Sequence, residues 1–163
     1  MDNMRIKNLK IRDMTKDNLK EVVSLICETY DNENLWSDYR HDKIKSEFEF
    51  AFKKSHVPAY LKPKFFVAVI DKEIIGVAGI TSSYMSDVLW ELSWATVKPG
   101  YQRKGVGTAL TKHRIKWAKK QKKRGYFMVS TRYPKLFKKL GFTEFLKRSD
   151  DNSHSSFCYL EYK

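Results

Sequence analysis

The chain has 163 residues, is 42% hydrophobic and 14% aromatic, and carries a net charge of +13. That is enough apolar content for one folded domain over residues 1–163, and it argues against a disordered chain. The longest apolar run, residues 65–70, is far too short to span a bilayer, and the first ten residues, MDNMRIKNLK, lack the apolar core of a secretory signal, so no membrane partner and a cytoplasmic location are expected.

Residues 4–14 read as a strand with Ile6, Leu9 and Ile11 as its apolar members. Thr15 is the expected N-cap of a helix whose Leu19, Val22, Val23, Ile26 and Tyr30 follow the 3.6 period. Polar residues 31–37 break that helix, and a second one places Ile44, Phe48, Ala51 and Phe52 on one face. Pro58 and Pro63 close this region. Residues 64–70 and 74–81 then predict two strands joined through Asp71, Lys72 and Glu73, followed by a longer strand over 87–97. The helix after Gly105 carries Val106, Leu110, His113 and Trp117 on one stripe, with lysines crowding its C-terminal end, where they suit the helix dipole. Gly125 is its expected stop. A short strand over 126–130, a short helix over 133–140 and two final strands complete the order, which predicts an α/β domain with a mixed sheet. The last strand, 154–162, either closes this sheet or pairs with a second copy.

Two cysteines, Cys27 and Cys158, stand in apolar surroundings without CxxC spacing and read as reduced core thiols. The four histidines show no ligand spacing, so no metal site is expected. The charge is more telling once located. From Leu92 to Gly141 there is no acidic residue and there are 15 lysines and arginines, which leaves the rest of the chain 17 basic groups against all 19 acidic ones. A local anionic partner accounts for such a window.

At the centre of that window lies Gln102-Arg103-Lys104-Gly105-Val106-Gly107-Thr108. Glycines at 105 and 107 permit left-handed backbone and remove the Cβ atoms that block close approach. Successive N–H groups opening a helix form an anion nest, to which Arg103, Lys104 and the Thr108 hydroxyl add donors. The loop is neither a Walker A sequence, since no GK[ST] follows, nor the GxGxxG dinucleotide fingerprint, since the third glycine is absent.

Gln102-x-x-Gly105-x-Gly107, preceded by a strand ending Val97-x-Pro99, resembles the acetyl-coenzyme A loop of the GNAT superfamily of N-acetyltransferases. Downstream, Leu136-Phe137-Lys138-Lys139-Leu140-Gly141-Phe142 resembles that family's aromatic-Tyr-Glu-Lys-Leu-Gly-Phe signature. The resemblance is sharp over residues 89–145 and topological before them. It implies a mixed, mostly antiparallel sheet flanked by helices, with a V-shaped cofactor cleft. It also implies direct attack of a primary amine, small-molecule or peptide-borne, on acetyl-CoA as co-substrate. Cofactor phosphates would lie on Gln102, Arg103, Lys104, Gly105, Val106, Gly107 and Thr108. The pantetheine arm would run beside the strand, with N–H groups at Ala95, Thr96 and Val97 near the acetyl carbonyl.

Glu91 lies eleven residues before Gln102, a spacing shared with the glutamate base of the family's histone-acetylating members, and is the expected base. On a regular strand it would share a face with Ser93, Ala95 and Val97. The family's usual tyrosine, the proposed proton donor to the leaving thiolate, falls here on Phe137, which cannot donate. Tyr133, four residues earlier on the same expected helix face, is the candidate replacement. The family's asparagine at the end of the preceding strand is replaced by Ser130. Acceptor choice in the family resides in the first two helices and their linker. Here that linker carries four carboxylates and two large aromatics between residues 31 and 42, with Trp36, Asp38 and Asp42 the candidates for gripping a cationic amine. Two alternatives stand beside the enzyme. One is a catalytically silent CoA-binding domain, motivated by Phe137; the other is a nucleic-acid binder, motivated by KWAKKQKKR at 116–124.

Overall fold

The computed structural model describes residues 6, 8–32, 41–54, 58, 61–150 and 153–163. The first strand, β1, is confined to Lys10–Asp13, shorter than expected; part of the anticipated run, residues 4, 5 and 7, lies outside the described residues. Thr15 caps a single 3-10 turn, Lys16–Asn18, that leads directly into α1, Leu19–Asn32. Both its N–H and its hydroxyl donate to Asn18 Oδ1, at 3.1 and 3.0 Å. Helix α2, His41–Phe50, buries Ile44 and Phe48; Ala51 and Phe52 pack half-buried in the turn beyond it.

Strand β2 is Lys64–Ile70, as the sequence predicts, and β3 runs Glu73–Ser83. Glu73 belongs to β3, so the hairpin loop is only Asp71 and Lys72, both left-handed (φ 46° and 75°), as two-residue hairpins demand. Strand β4 is Ser86–Val97 and ends at a 3-10 turn, Pro99–Tyr101, that the sequence reading did not anticipate. Helix α3, Val106–Gln121, stops four residues before Gly125. The glycine instead opens β5, Gly125–Thr131, where a Cβ would lie 2.3 Å from the Val88 carbonyl oxygen. It is required by the approach of β4 rather than by the helix end. Helix α4, Pro134–Lys138, and strands β6, Thr143–Asp150, and β7, Ser153–Tyr162, follow.

The seven strands form one sheet in the order β1-β2-β3-β4-β5-β7-β6. All neighbours are antiparallel except β4 and β5, which are parallel. Strand β7 is therefore interior, between β5 and β6, and closes this sheet; the edge on that side is β6. Two apolar clusters cover the two faces. Phe66, Ala78, Ile80, Trp90, Leu92, Leu110, Phe127 and Phe137 pack on the side of α3 and α4. Val22, Val23, Ile26, Ile44, Phe48, Phe65, Val67 and Val77 pack on the side of α1 and α2. Neither cysteine is in a disulfide; Cys158 is buried and Cys27 half-buried. Among the described residues no helix is long and apolar enough to cross a membrane.

Candidate functional site

Strands β4 and β5 pair only over Leu89, Trp90 and Glu91 against Tyr126, Phe127 and Met128. Both continue in the same direction, β4 to Val97 and β5 to Thr131, without further pairing to each other. The sheet thus opens at its middle into a wedge. A bulge in β4 lies at the same level. The β3–β4 register passes from Gly79 facing Ser93 to Val77 facing Thr96, and Trp94 takes φ 50°, a left-handed conformation that is uncommon for a bulky residue. Packing holds it there. The Trp94 ring meets Phe48 and Tyr30 edge-on at 5.6 and 6.3 Å, and its indole N–H donates to Glu47 Oε2 at 3.1 Å.

The bulge overturns the expected shared face of Glu91, Ser93, Ala95 and Val97. Glu91 and Ser93 alternate with Trp90 and Leu92, which belong to the α3-side core, so they face α1 and α2. Past Trp94 the parity switches. Thr96 faces Val77 on the α1 side, and Val97 packs on the α3 side. Ala95 is exposed at the wedge. The Lys98 N–H bonds to Ile75 O at 2.9 Å, toward β3, whereas Val97 presents its carbonyl to the open edge, where Gln102 Nε2 donates to it at 3.1 Å.

The loop beyond β4 leads into α3 with Arg103 at φ 58° and Gly105, the N-cap, at φ 87°. A Cβ on Gly105 would meet nothing within 4 Å, and one on Gly107 only Val97 Cγ2 at 4.0 Å. The space over the first turn is therefore open on the side where the leading helical N–H groups lack intrahelical partners. Arg103 and Lys104 are exposed, Lys104 Nζ standing 5.8 Å over the Tyr101 ring, while Val106 is buried and Thr108 half-buried. A pyrophosphate fits this arrangement: helix N–H donors, dipole and basic side chains converge where no Cβ intrudes.

Glu91 is exposed on β4, on the face turned to α1 and α2. Phe137 is 3% exposed and packs edge-on against Phe142 at 5.2 Å. Tyr133 is not on the face of Phe137. It precedes the helix as its N-cap, is 63% exposed, and donates its backbone N–H to Thr131 Oγ1, because Pro134 begins α4. Ser130 is exposed near the end of β5. Of the acceptor candidates, Trp36 and Asp38 lie outside the described residues; Asp42 is exposed in the first turn of α2 beside His41.

One buried polar feature escaped sequence reading. Arg114, in the middle of α3, is fully buried, with Nη1 donating to Gly79 O at 2.9 Å and Ser93 O at 3.2 Å, and Nη2 to Thr111 Oγ1 at 3.0 Å. Within the basic window, Lys98 pairs with Glu73, Lys122 with Asp87 and Lys138 with Glu144. Lys112, Lys116, Lys119 and Lys120 instead edge a groove of about 540 Å³ floored by Ile115, Leu140 and Leu160. That groove runs along α3 away from its N-terminus, so much of the positive charge lies beyond the loop it was read to serve.

Residues 62–144 match the family model of the acetyltransferase (GNAT) domain. No curated protein sequence matches the chain. Among solved structures, an N-acetyltransferase from Staphylococcus aureus Mu50 superposes with TM-score 0.75 at 18% identity, over 96% of this chain and 100% of its own. The ribosomal-protein-S18-alanine N-acetyltransferase of Escherichia coli gives TM-score 0.71 at 16% identity, over 94% of each chain. The PaiA N-acetyltransferase of Thermoplasma acidophilum, in complex with coenzyme A, gives 0.69 at 18%, over 94% and 99%. At such identities the likeness is one of fold. The domain model spans half of the chain and takes in the wedge, the glycine loop and α4, so the chain belongs to the GNAT acetyltransferase family and is an acyltransferase.

Proposed function

We propose that this protein moves the acetyl group of acetyl-CoA directly to a primary amine, in a ternary complex without an acyl-enzyme. The observation that carries this reading is the alignment of the open helix N-terminus at Gly105 and Gly107 with the unpaired edge of β4. Acetyl-CoA would place its phosphates on the first turn of α3 between Arg103, Lys104 and Thr108. Its extended arm would follow the β4 edge over Ala95, Thr96 and Val97, whose open-edge N–H groups supply hydrogen bonds to a developing oxyanion. Gln102 supports this edge through the Val97 carbonyl rather than offering that donor to phosphate.

Glu91 is the proposed base. It sits on the α1–α2 face of β4, so the amine would enter between the strand and those two helices, with Trp36, Asp38 and Asp42 gripping its charge. Glu91→Gln should lower kcat by about 10²- to 10⁴-fold and leave acetyl-CoA affinity unchanged. An unchanged kcat removes Glu91 from the chemistry. Tyr133 is the proposed proton source for the leaving thiolate, now on its solvent-facing position at the end of β5 rather than on a shared helix face. Tyr133→Phe should reduce turnover, and unchanged turnover across pH assigns that proton to solvent.

The decisive experiment is thiol release from acetyl-CoA with a panel of amines. The panel spans a peptide beginning with alanine (an alanine of ribosomal protein S18 being the acceptor named for the Escherichia coli protein), a lysine side chain, a polyamine and an aminosugar. Acetyl-CoA at 100 times its dissociation constant should raise stability by about 2.7 kcal/mol. No thermal response to acetyl-CoA or CoA would overturn the reading.

A further inference from the structure

The proposed chemistry leaves one fully buried cation among the described residues unused. Arg114 occupies an α3 position facing the sheet, with Leu110 and Ala118, one turn to either side, both completely buried. An apolar residue would satisfy such a position, and a buried cation is costly unless its donors are bonded. Here they are bonded to main chain and hydroxyl rather than to a carboxylate, and Nε is without a partner among the described residues. Burial alone pushes the guanidinium down from its ordinary value to about 9.

The partners belong to two separated parts of the wedge. Ser93, whose carbonyl accepts from Nη1, immediately precedes the left-handed Trp94 of the β4 bulge, and Gly79 faces it on β3. On the other side Nη2 donates to Thr111 Oγ1, whose hydroxyl donates to the Gly107 carbonyl at 2.9 Å. Gly107 lies in the first turn of α3, against Val97. A continuous, largely buried chain of hydrogen bonds thus runs from the proposed phosphate cradle through Thr111 and Arg114 to the bulge. Only a planar fork with several donors can serve three acceptors in this arrangement; an ammonium group cannot span them.

We propose that Arg114 is a positioning residue for acetyl transfer, locking the β4 bulge to the first turn of α3 and so fixing the acyl end of the acetyl-CoA site relative to its phosphate end. The inference rests on the acetyl-CoA reading. The test uses the full chain and its Arg114→Met, Arg114→Lys and Thr111→Val variants. Calorimetry measures affinity for acetyl-CoA and for its nucleotide end alone, adenosine 3′,5′-bisphosphate. Amide hydrogen exchange is followed on the ligand-free proteins.

Arg114→Met, which fills the volume without the fork, should bind acetyl-CoA at least tenfold more weakly and the bisphosphate within twofold of wild type. Exchange at residues 94–97 and 109–112 should quicken together, at least tenfold. Arg114→Lys keeps the charge and should recover neither readout. Thr111→Val removes one link, should show the same pattern at smaller size, and decides the matter if the methionine variant does not fold. Acetyl-CoA affinity within twofold of wild type in a folded variant overturns the proposal, and so does an equal loss for both ligands. A wild type that binds neither ligand defeats the acetyl-CoA reading instead, and exchange then decides alone whether Arg114 ties the two ends.

Discussion

The two faces of the sheet are built on different terms. On the α3 side, the glycine loop, the helix start and the β4 edge are short-range features: Gly105 and Gly107 are two residues apart, and Gln102 reaches back only five to Val97. On the α1–α2 side, nothing local holds the site. Trp94 keeps its left-handed backbone because Tyr30, Glu47 and Phe48, all from distant helices, receive its ring and its N–H. The proposed cofactor side is thus specified by backbone freedom and open space, and the proposed acceptor side by side-chain packing. A substitution that fills space should damage binding on the first side, and one that removes volume should damage folding on the second.

Phe48→Ala should give the largest effect. Phe48 is fully buried, stacks on Phe65 at a centroid distance of 4.1 Å and supports Trp94. Emptying that site should cost about 3–5 kcal/mol in denaturant unfolding. A loss below about 1 kcal/mol would show that α2 is not what holds the bulge, and the contrast between the two sides would collapse.

Gly107→Ala probes the opposite side. The new methyl would touch only Val97 Cγ2, at 4.0 Å, so the fold should tolerate it. In a helix, alanine in place of glycine gains up to about 1 kcal/mol. The same methyl would stand in the space proposed for pyrophosphate, so acetyl-CoA affinity should fall about tenfold, or about 1.4 kcal/mol. Stability held or raised while binding is lost is the signature expected; affinity held with the methyl present would move the phosphates off this turn.

This asymmetry also explains what could be read in advance. Strand β2, the order of elements, the helix after Gly105 and the family itself followed from periodicity and from two motifs, all encoded within a few residues. The bulge did not, because a strand sequence such as Leu92-Ser93-Trp94-Ala95 contains no glycine or proline to announce one. Its parity switch is why the face assigned to Ala95 and Val97 was wrong, though Glu91 and Ser93 do share one. Tyr133 was displaced by its neighbour, since Pro134 at the first helical position leaves the preceding residue outside the helix. Arg114 was the least legible of all. Within 15 basic residues nothing local marks the one that turns inward, and only the carbonyls of Gly79 and Ser93, far away in sequence, give it a place.

His113, the neighbour of Arg114, supplies the smallest and most specific test of the α3 side. Its ring packs edge-on against Phe66 at 4.8 Å. Burial holds its pKa below the ordinary 6.5, Asp13 opposes the shift, and Lys116 and Lys120 push the same way as burial. The folded state therefore prefers the neutral ring. As pH falls through 6.5 the unfolded chain takes up a proton first, so the contribution of His113 is complete above 6.5 and is lost as pH falls through the lower folded value. Glu144, held low by Lys138 and then by Ser156, loses its contribution only further down, as pH falls below 4.5. Melting curves should thus show a modest decline between pH 7 and 5 that His113→Gln flattens, while the steeper acid limb survives the substitution. A decline that persists unchanged in His113→Gln would mean that the apolar contact with Phe66 does not set the ring's protonation, and that the α3 side owes its stability near neutral pH to packing alone.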